Sequence, residues 1–534
     1  MTLLLLVCAL ADDHRVPDQA WPGLAGALIS PTMGTNKQNQ QAVIDGWLFA
    51  GGNGVHELWD IRTPQRPRLL GTLTSPYHER EAESHSLAVR LDPDGRRLVA
   101  TISGRGVDLW DVTDPEAGAL RATVLLDGVD YGDNSEAVWG VSWQGRWLFV
   151  GGTNTGLHVI DTLDPAAPEV VARMTQVELG GVSAGPLWAM GDVLVVTTPK
   201  ERAGVATVDV HDPRAPALLD AELPAEKSYI GGFYGHHAFL LTPLRAWDVL
   251  TDPAQITLTA SVEIPESEYL SFGDGRAFIG SLRPNPGVRV FELDDDGAGT
   301  WVQTVEGRKD DRLRGAFTDD QFSLPIGNLV ALSDDEIRHG TVLAVVDEAP
   351  DRTPPALLAT WPADGATSVS PGSRLALSLS DVIDTRSVRA DTVVLRPLDG
   401  GEPVPTRFGV QGTVIHVDPI APLAADTAYE LLLPEGGLTD LVGNPLPAAS
   451  SVLFSTGQTV ERVPCVIVPQ PPALVGEAAP LVAEPVDGAT YAWETDEGVM
   501  VAVAVRDVTE RELAQDAILA LNVDLERRIT ERTA

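Results

Sequence analysis

Apolar and polar positions alternate with a period of two along most of this chain, and the alternating runs recur in a fixed order. A turn ending in glycine precedes an apolar run seven times: Asp45-Gly46 before 47–49, Asp94-Gly95 before 98–100, Gln144-Gly145 before 147–150, Met190-Gly191 before 193–196, Tyr234-Gly235 before 238–241, Asp274-Gly275 before 277–279 and Ile326-Gly327 before 329–332. These glycines step by 49, 50, 46, 44, 40 and 52 residues, a spacing suited to propeller blades. Each run leads into an alternating segment that usually ends in an acid, as in Val55-His56-Glu57-Leu58-Trp59-Asp60 and Leu157-His158-Val159-Ile160-Asp161. Period-two alternation marks half-buried strands.

Turn chemistry follows at a fixed offset. Asp114-Pro115, Asp164-Pro165, Asp212-Pro213 and Asp252-Pro253 open turns, with Thr63-Pro64 in the first unit. Aspartate there accepts a hydrogen bond from the backbone two residues on, and proline presets φ at the next position. A further apolar strand closes each unit, for example 69–73 and 120–125. Four strands in each of seven units predict an all-β chain whose residues 20–350 form a seven-bladed β-propeller. The seventh unit lacks a fourth strand, and a spare apolar segment, 24–29, is expected to supply it and tie the ends of the ring.

After a linker at 351–355, residues 355–457 carry short strands with turns about every ten residues, among them 374–379, 392–395, 414–417 and 429–433. They predict an Ig-like β-sandwich. Residues 463–498 read as an incomplete Ig-like module, and 499–534 as a strand and a short C-terminal helix. Thr509 and Glu512 form a capping box there, with Ala514, Ile518, Leu521 and Leu525 on one seam.

Several of these strings resemble known families. Gly156-Leu157-His158-Val159-Ile160-Asp161, followed by Asp164-Pro165-Ala166-Ala167-Pro168, resembles the bacterial LVIVD repeat, which implies an exported propeller without fixing its function. Trp-Asp pairs at 59–60, 110–111 and 247–248 are superficially similar to WD40 repeats, but the Gly-His element is missing. Thr353-Pro354-Pro355 and Asp440-Leu441-Val442-Gly443-Asn444 resemble the bacterial Ig-like domain of surface-layer type, which implies an extracellular spacer. The stretch 488–498 resembles a polycystic-kidney-disease-type repeat. Residues 506–511 and 522–534 resemble the junction between a PAS domain and a sensor histidine kinase. The phosphoacceptor and ATP-binding parts are missing from the chain, and a truncated or fused reading frame is the expectation for this end.

Composition narrows function. The 534 residues hold 76 acids against 38 bases, for a net charge of −38. That excludes a basic face for nucleic acid and attraction to anionic lipid. Cys8 and Cys465, the two cysteines, can build neither a disulfide framework nor a thiolate zinc site. Residues 1–11 read as a signal segment ending in Ala9-Leu10-Ala11, so an extracellular or cell-surface location is expected, with lipoprotein anchoring the less favoured route. No later run is long enough for an apolar membrane span.

Candidate chemistry is sparse. His78, Glu83 and His85 lie in an acidic loop, 78–85, before the second unit. Asp127, Asp130, Asp133 and Glu136 precede the third, and Asp294–Asp296 form an acidic turn. His78, Glu83, His85, Asp130 and Asp133 are weak metal candidates, since none falls in a standard ligand spacing. No cofactor is expected, and calcium is the weak alternative. His85, Glu136 and Tyr229 are the ligand-face candidates, on loops 78–85, 127–136 and 225–231. Gly181-Val182-Ser183-Ala184-Gly185 fits the G-x-S-x-G pattern but lacks the following helix of a nucleophile elbow. His236-His237 is expected to be exposed. Trp59, Trp110 and Trp247 are expected to pack between sheets. The reading that results is a non-enzymatic, monomeric surface protein whose propeller binds a protein or a glycan. The alternatives are a metal-dependent lyase or hydrolase using loop 78–85, and the sensory ectodomain of a truncated signalling protein.

Overall fold

The computed structural model describes residues 16–17, 25–34, 38–52, 54–78, 85–133, 135–199, 204–224, 228, 230–265, 267–281, 287–305, 321–334, 340–458, 493–495 and 498–500. The signal segment, the capping box and its helical seam lie outside them, as do the kinase-linker-like strings and most of the second Ig-like module. The chain divides into two units, Met1–Gly457 and Gln458–Ala534. Of the second, two short paired strands are described, Trp493–Thr495 and Gly498–Met500.

The first unit is all β. Its sequence-spaced repeats form successive antiparallel meanders, the first from Gln38–Ile44, Trp47–Gly52, Val55–Asp60 and Arg68–Thr74. Five more four-stranded sets follow in chain order, ending at Gly299–Val305. A three-stranded set comes last: Gln321–Ile326, Leu329–Asp334 and Thr341–Val345. Every glycine turn noted above joins the first and second strands of its set. Asp45 and Gly46, and again Asp274 and Gly275, have positive φ at both positions, the geometry that matches hairpin twist. The segment expected to complete the last set lies along Thr341–Val345. Gly26 and Ile29 donate to the carbonyls of Val345 and Leu343, and Met33 donates to Thr341.

The acids noted at strand ends and turns have local work. Asp60, Asp111, Asp161, Asp209 and Asp248 each accept from the backbone N–H two residues on, at 2.8–3.1 Å. Asp114, Asp164, Asp212 and Asp252 do the same at 2.9–3.1 Å. A register shift recurs between the third and fourth strands of six sets, at Leu58/Trp59 and Leu109/Trp110 for example. Such a bulge sharpens local twist and leaves no mark in the periodicity. Trp110 and Trp247 are buried and Trp59 partly so, as expected of packing residues. His237, expected at the surface, is 4% exposed, and burial lowers its pKa to about 4. Its ring packs beside His236 and Phe239.

The Ig-like domain is a two-sheet sandwich. One sheet orders Leu357–Trp361, Leu375–Leu379, Val414–Pro419 and Thr406–Gln411. The other orders Ala366–Val369, Ser450–Thr456, Ala428–Leu433 and Val394–Pro397. Thr406–Gln411 does not end its sheet. It pairs with Leu87–Leu91, the first strand of the second propeller set, through Phe408↔Leu91, Gly409↔Arg90 and Val410↔Val89. Sandwich and propeller thus share an eight-stranded sheet and one apolar core, in which Val89 and Trp110 join Leu377, Ile415 and Phe454. A spacer role predicts a separate module; the domain is instead built onto the propeller.

Contacts from the glycine turns place it on one face. The Asp45 N–H donates to Thr385 Oγ1 (2.7 Å), the Gly275 N–H to the Ser380 carbonyl (3.1 Å), and the Tyr234 hydroxyl to the same carbonyl (3.0 Å). Gly145 lies against Asp418, Gly191 against Trp361 and Gly327 against Val442. Beneath the strand pairing, Arg90 is 1% exposed and Asp92 2%. Arg90 donates to Asp92 (2.7 Å) and to the Thr162 carbonyl (2.8 Å), and Arg407 from the Ig-like domain donates to Asp92 at 2.9 Å.

Two substitutions test this seat. Gly191→Ala places a Cβ into Trp361 and 2.7 Å from the Arg374 carbonyl, at φ +66, and should cost about 2–4 kcal/mol. Gly95→Ala has the same backbone problem, φ +91 with open space around it, and should cost about 1 kcal/mol. Thermal melts of the two variants should keep that order. Asp92→Ala removes the shared carboxylate of Arg90, Arg407 and the more exposed Arg96 and should cost about 3–5 kcal/mol, read from the shift of a urea unfolding curve.

Candidate functional site

The first strands of the propeller sets run from one mouth of the axis to the glycine turns, so their starts and ends mark opposite faces. The Ig-like domain holds the turn face. At the opposite end, residues at or just before the strand starts converge. His85 stacks on Trp139 with ring centroids 4.1 Å apart and planes 9° apart, and Tyr269 packs on Phe322 at 3.6 Å. His85 is within 6.1 Å of Tyr269 and 5.8 Å of Phe322. Trp139 and Tyr269 are almost fully buried, with Ile230 and Ala137 in the same cluster.

Between this aromatic roof and the Ig-like floor lies a cavity of about 200 Å³. Its walls come from the first strands, including Gln41, Phe233, Ser271 and Ser323. Its floor includes Ile383, Thr385, Gln411 and Thr413 of the Ig-like domain. Among the described residues, no Asp, Glu, Lys or Arg lines it.

A second constellation lies at the docking face. Asp351, Asp381 and Asp440 bring one carboxylate oxygen each within 4.8 Å of the others, a set that could hold a hard cation. The Asp-x-x-Gly-Asn turn builds it. Asp440 accepts from the Val442 and Asn444 N–H groups at 2.9 Å and from Asn444 Nδ2 at 2.7 Å, and Asn444 reaches on to Asp351 at 3.4 Å. Asp381 accepts from the Val382 N–H (2.7 Å) and the Asp274 N–H (3.2 Å). Burial, and then Asp440, push the Asp381 carboxyl well above the usual range. Burial raises Asp440 to about 6 against its bonds to Asn444. Sequence reading saw the turn in this motif; Asp351 and Asp381 carry no local signal, since the fold alone gathers them.

The residues singled out from sequence are dispersed. His78 is exposed, its ring nitrogen 2.7 Å from the Ser75 carbonyl, while His85 belongs to the axial roof. Asp130 accepts from the Gly132 N–H (3.0 Å) and Asp133 from the Ser135 N–H and hydroxyl (2.9 and 2.6 Å), so both close turns. The Ser135 bonds hold the Asp133 carboxyl below its ordinary range. Glu136 is exposed beside them. Asp294 accepts from Asp296 and Ala298 N–H groups. Glu83 and Tyr229 lie outside the described residues. Among the described residues, the one group of three within ligand reach is Asp351, Asp381 and Asp440. Ser183 is held by amides, donating to Asn154 and accepting from Gln176.

Residues 351–456 match the bacterial Ig-like domain family. The match covers the sandwich and the linker aspartate that its turn holds. Among solved structures, the chain is similar to the β-propeller domain of Cps50 (Swd1) from Myceliophteria thermophila, at 16% identity and a TM-score of 0.43 over 60% of this chain and 100% of that one. It is also similar to the computationally designed Ika8 protein, at 11% identity and a TM-score of 0.39 over 61% of this chain and 100% of that one. A search of curated proteins finds no match. Among the described residues, no helix is long and apolar enough to cross a membrane.

The acid group yields a pH prediction. A carboxyl whose pKa is higher folded than unfolded binds more protons in the folded state, so its stability contribution falls as pH rises. For Asp440 the loss runs from the unfolded value of about 3.9 through about 6; Asp381 acts in the same direction. Asp381→Asn keeps the Oδ1 acceptor and removes the buried charge. In EDTA at pH 7.5 it should melt about 1–3 °C higher than the parent, with the gain shrinking toward pH 5.

Proposed function

We propose that this chain is an exported or cell-surface protein that binds a partner, a protein or a glycan, rather than transforming a substrate. In this reading the seven strand sets are the blades of one LVIVD-type propeller, closed by the segment Gly26–Met33. The C-terminal stretch 499–534 is a signalling-linker-like tail of a truncated or fused frame. The observation that carries the binding reading is the asymmetry of the propeller. The Ig-like domain occupies the glycine-turn face through a shared sheet, so the face around His85, Trp139 and Phe322 is the one presented to a partner. Support for binding over catalysis comes from the loop groups themselves. His85 is spent on aromatic stacking, and Asp130 and Asp133 on turns.

Fluorescently labelled chain should bind intact bacterial cells saturably. Phe322→Ala, which opens the rim at a partly buried position, should weaken that binding about tenfold with its melting curve little changed. Protease treatment of the cells abolishes binding if the partner is a protein, and periodate oxidation does so if it is a glycan. Binding unchanged by both treatments and by Phe322→Ala would remove the proposal.

A further inference from the structure

We infer that Ser370 is an acyl-acceptor site, a hydroxyl activated by His211 and Asp192 that takes the acyl group of an uncharged, activated ester. The three side chains come from separate places in the chain. Asp192 follows the glycine turn of the fourth propeller set, between Leu187–Met190 and Val193–Thr197. His211 follows the third strand of that set, Val205–Asp209. Ser370 follows Ala366–Val369 of the Ig-like domain. Docking of the two domains brings them into one row. Ser370 Oγ lies 3.2 Å from His211 Nε2, and His211 Nδ1 lies 3.5 Å from Asp192 Oδ2.

The partners of each group fix its role. Asp192 Oδ1 accepts the Arg374 N–H at 3.1 Å, so Oδ2 is left to face the imidazole. A carboxylate at Nδ1 keeps the proton on that nitrogen and turns the Nε2 lone pair toward the serine. Bonds of this kind are commonly long before a substrate seats. The His211 N–H donates to Asp209 Oδ1 at 2.8 Å and holds the backbone. The Gly372 N–H donates to Ser370 Oγ at 3.3 Å, a bond that strengthens as the oxygen loses its proton.

All three groups line a cleft of about 560 Å³, within the range of small-molecule sites, about 300–1,000 Å³. Leu219, Leu250, Trp361 and Val369 give it apolar surface, and Asp209 and Asp252 give it negative charge. An aliphatic acyl chain gains by burial against the first, and a carboxylated one is repelled by the second. Ser370 Oγ attacks the ester carbonyl while its proton passes to His211 Nε2. The bond from the carbonyl carbon to the leaving oxygen then breaks, the alcohol departs with that proton, and an acyl-serine ester remains. Asp192 stays ionised and holds the imidazolium. The acyl group stays on the chain, so the step modifies the protein and is distinct from turnover of a substrate. It goes beyond the partner-binding reading, which concerns the opposite face, and neither depends on the other.

The bond to Asp192, with Asp209 adding to it, holds the His211 imidazole above its ordinary range against burial and the Arg374 guanidinium. An imidazolium cannot take the serine proton, so acylation should rise with pH through a midpoint above about 6.5.

The full chain is incubated with p-nitrophenyl hexanoate and with mono-p-nitrophenyl adipate, the same six-carbon chain ending in a carboxylate. Hexanoate should release one equivalent of p-nitrophenolate per chain and leave one hexanoyl group, placed on Ser370 by peptide mass spectrometry. Adipate should label about tenfold more slowly. Ser370→Ala should abolish the label. His211→Gln, at a side chain 42% exposed, should slow it about a hundredfold with the melting curve unchanged. Asp192→Asn should slow it and lower the pH midpoint; should that variant fail to fold, His211→Gln carries the decision. No acyl group on Ser370, a rate untouched by His211→Gln, or equal labelling by the two esters would overturn the assignment.

Discussion

The structure turns on the pairing of one strand edge from each domain. Leu87–Leu91 opens the second propeller set, and Thr406–Gln411 ends one sheet of the Ig-like domain. An unpaired edge exposes backbone donors and acceptors and invites wrong partners. Here each edge satisfies the other, and the register is locked by side chains beneath it. Arg90, paired through its backbone with Gly409, turns its guanidinium to Asp92 and Thr162, and Arg407 approaches Asp92 from the other domain. Gly409 has to be small: a Cβ there would come 2.8 Å from the Trp143 carbonyl. His416, fully buried on the adjacent strand, meets the same carbonyl at 2.9 Å, and burial keeps it neutral, with its pKa lowered to about 4.

Much of the propeller was legible because its information is local. A strand followed by Asp-Gly, or an aspartate before proline, writes its turn into two or three adjacent residues, and the observed bonds at Asp114, Asp164, Asp212 and Asp252 are the ones such residues make. The docking was not legible. Thr406–Gln411 carries a glycine at its centre, and its partner lies more than 300 residues away. The acid group of Asp351, Asp381 and Asp440 is equally non-local. His78 and His85 show the reverse failure. Seven residues apart in sequence, they suggested one site, yet one lies at the surface beside Ser75 and the other in the axial roof, because His78 follows the last strand of one propeller set and His85 precedes the first strand of the next.

The large negative charge also divides by cause. Strand-ending aspartates such as Asp111 and Asp161 are held below the ordinary carboxylate range despite partial burial, by side-chain hydrogen bonds from Thr113 and Arg121 and from Arg146, with backbone bonds adding to them. Asp381 and Asp440 run the other way, both raised first by burial, Asp381 further by Asp440 and Asp440 further by Asp351. The first kind stabilises the propeller at neutral pH, and the second opposes the docking there. The docking survives because strand pairing, a shared apolar core and the Arg90–Asp92–Arg407 network act on the same interface.

The geometry of a propeller explains why a chamber results from that docking. Strands that radiate from an axis leave a channel open at both faces, and water fills it. Seating a folded domain on one face converts the channel into a closed-ended pocket whose floor is chosen by a different sequence from its walls. Here the floor supplies Gln411 and Thr413, while the walls supply Gln41, Ser271 and Ser323. Neither domain alone holds the set, so the polarity of the chamber depends on the strand pairing that seats the floor. A change at Gly409 or Asp92, remote from the chamber in sequence, therefore acts on its chemistry through the position of that floor.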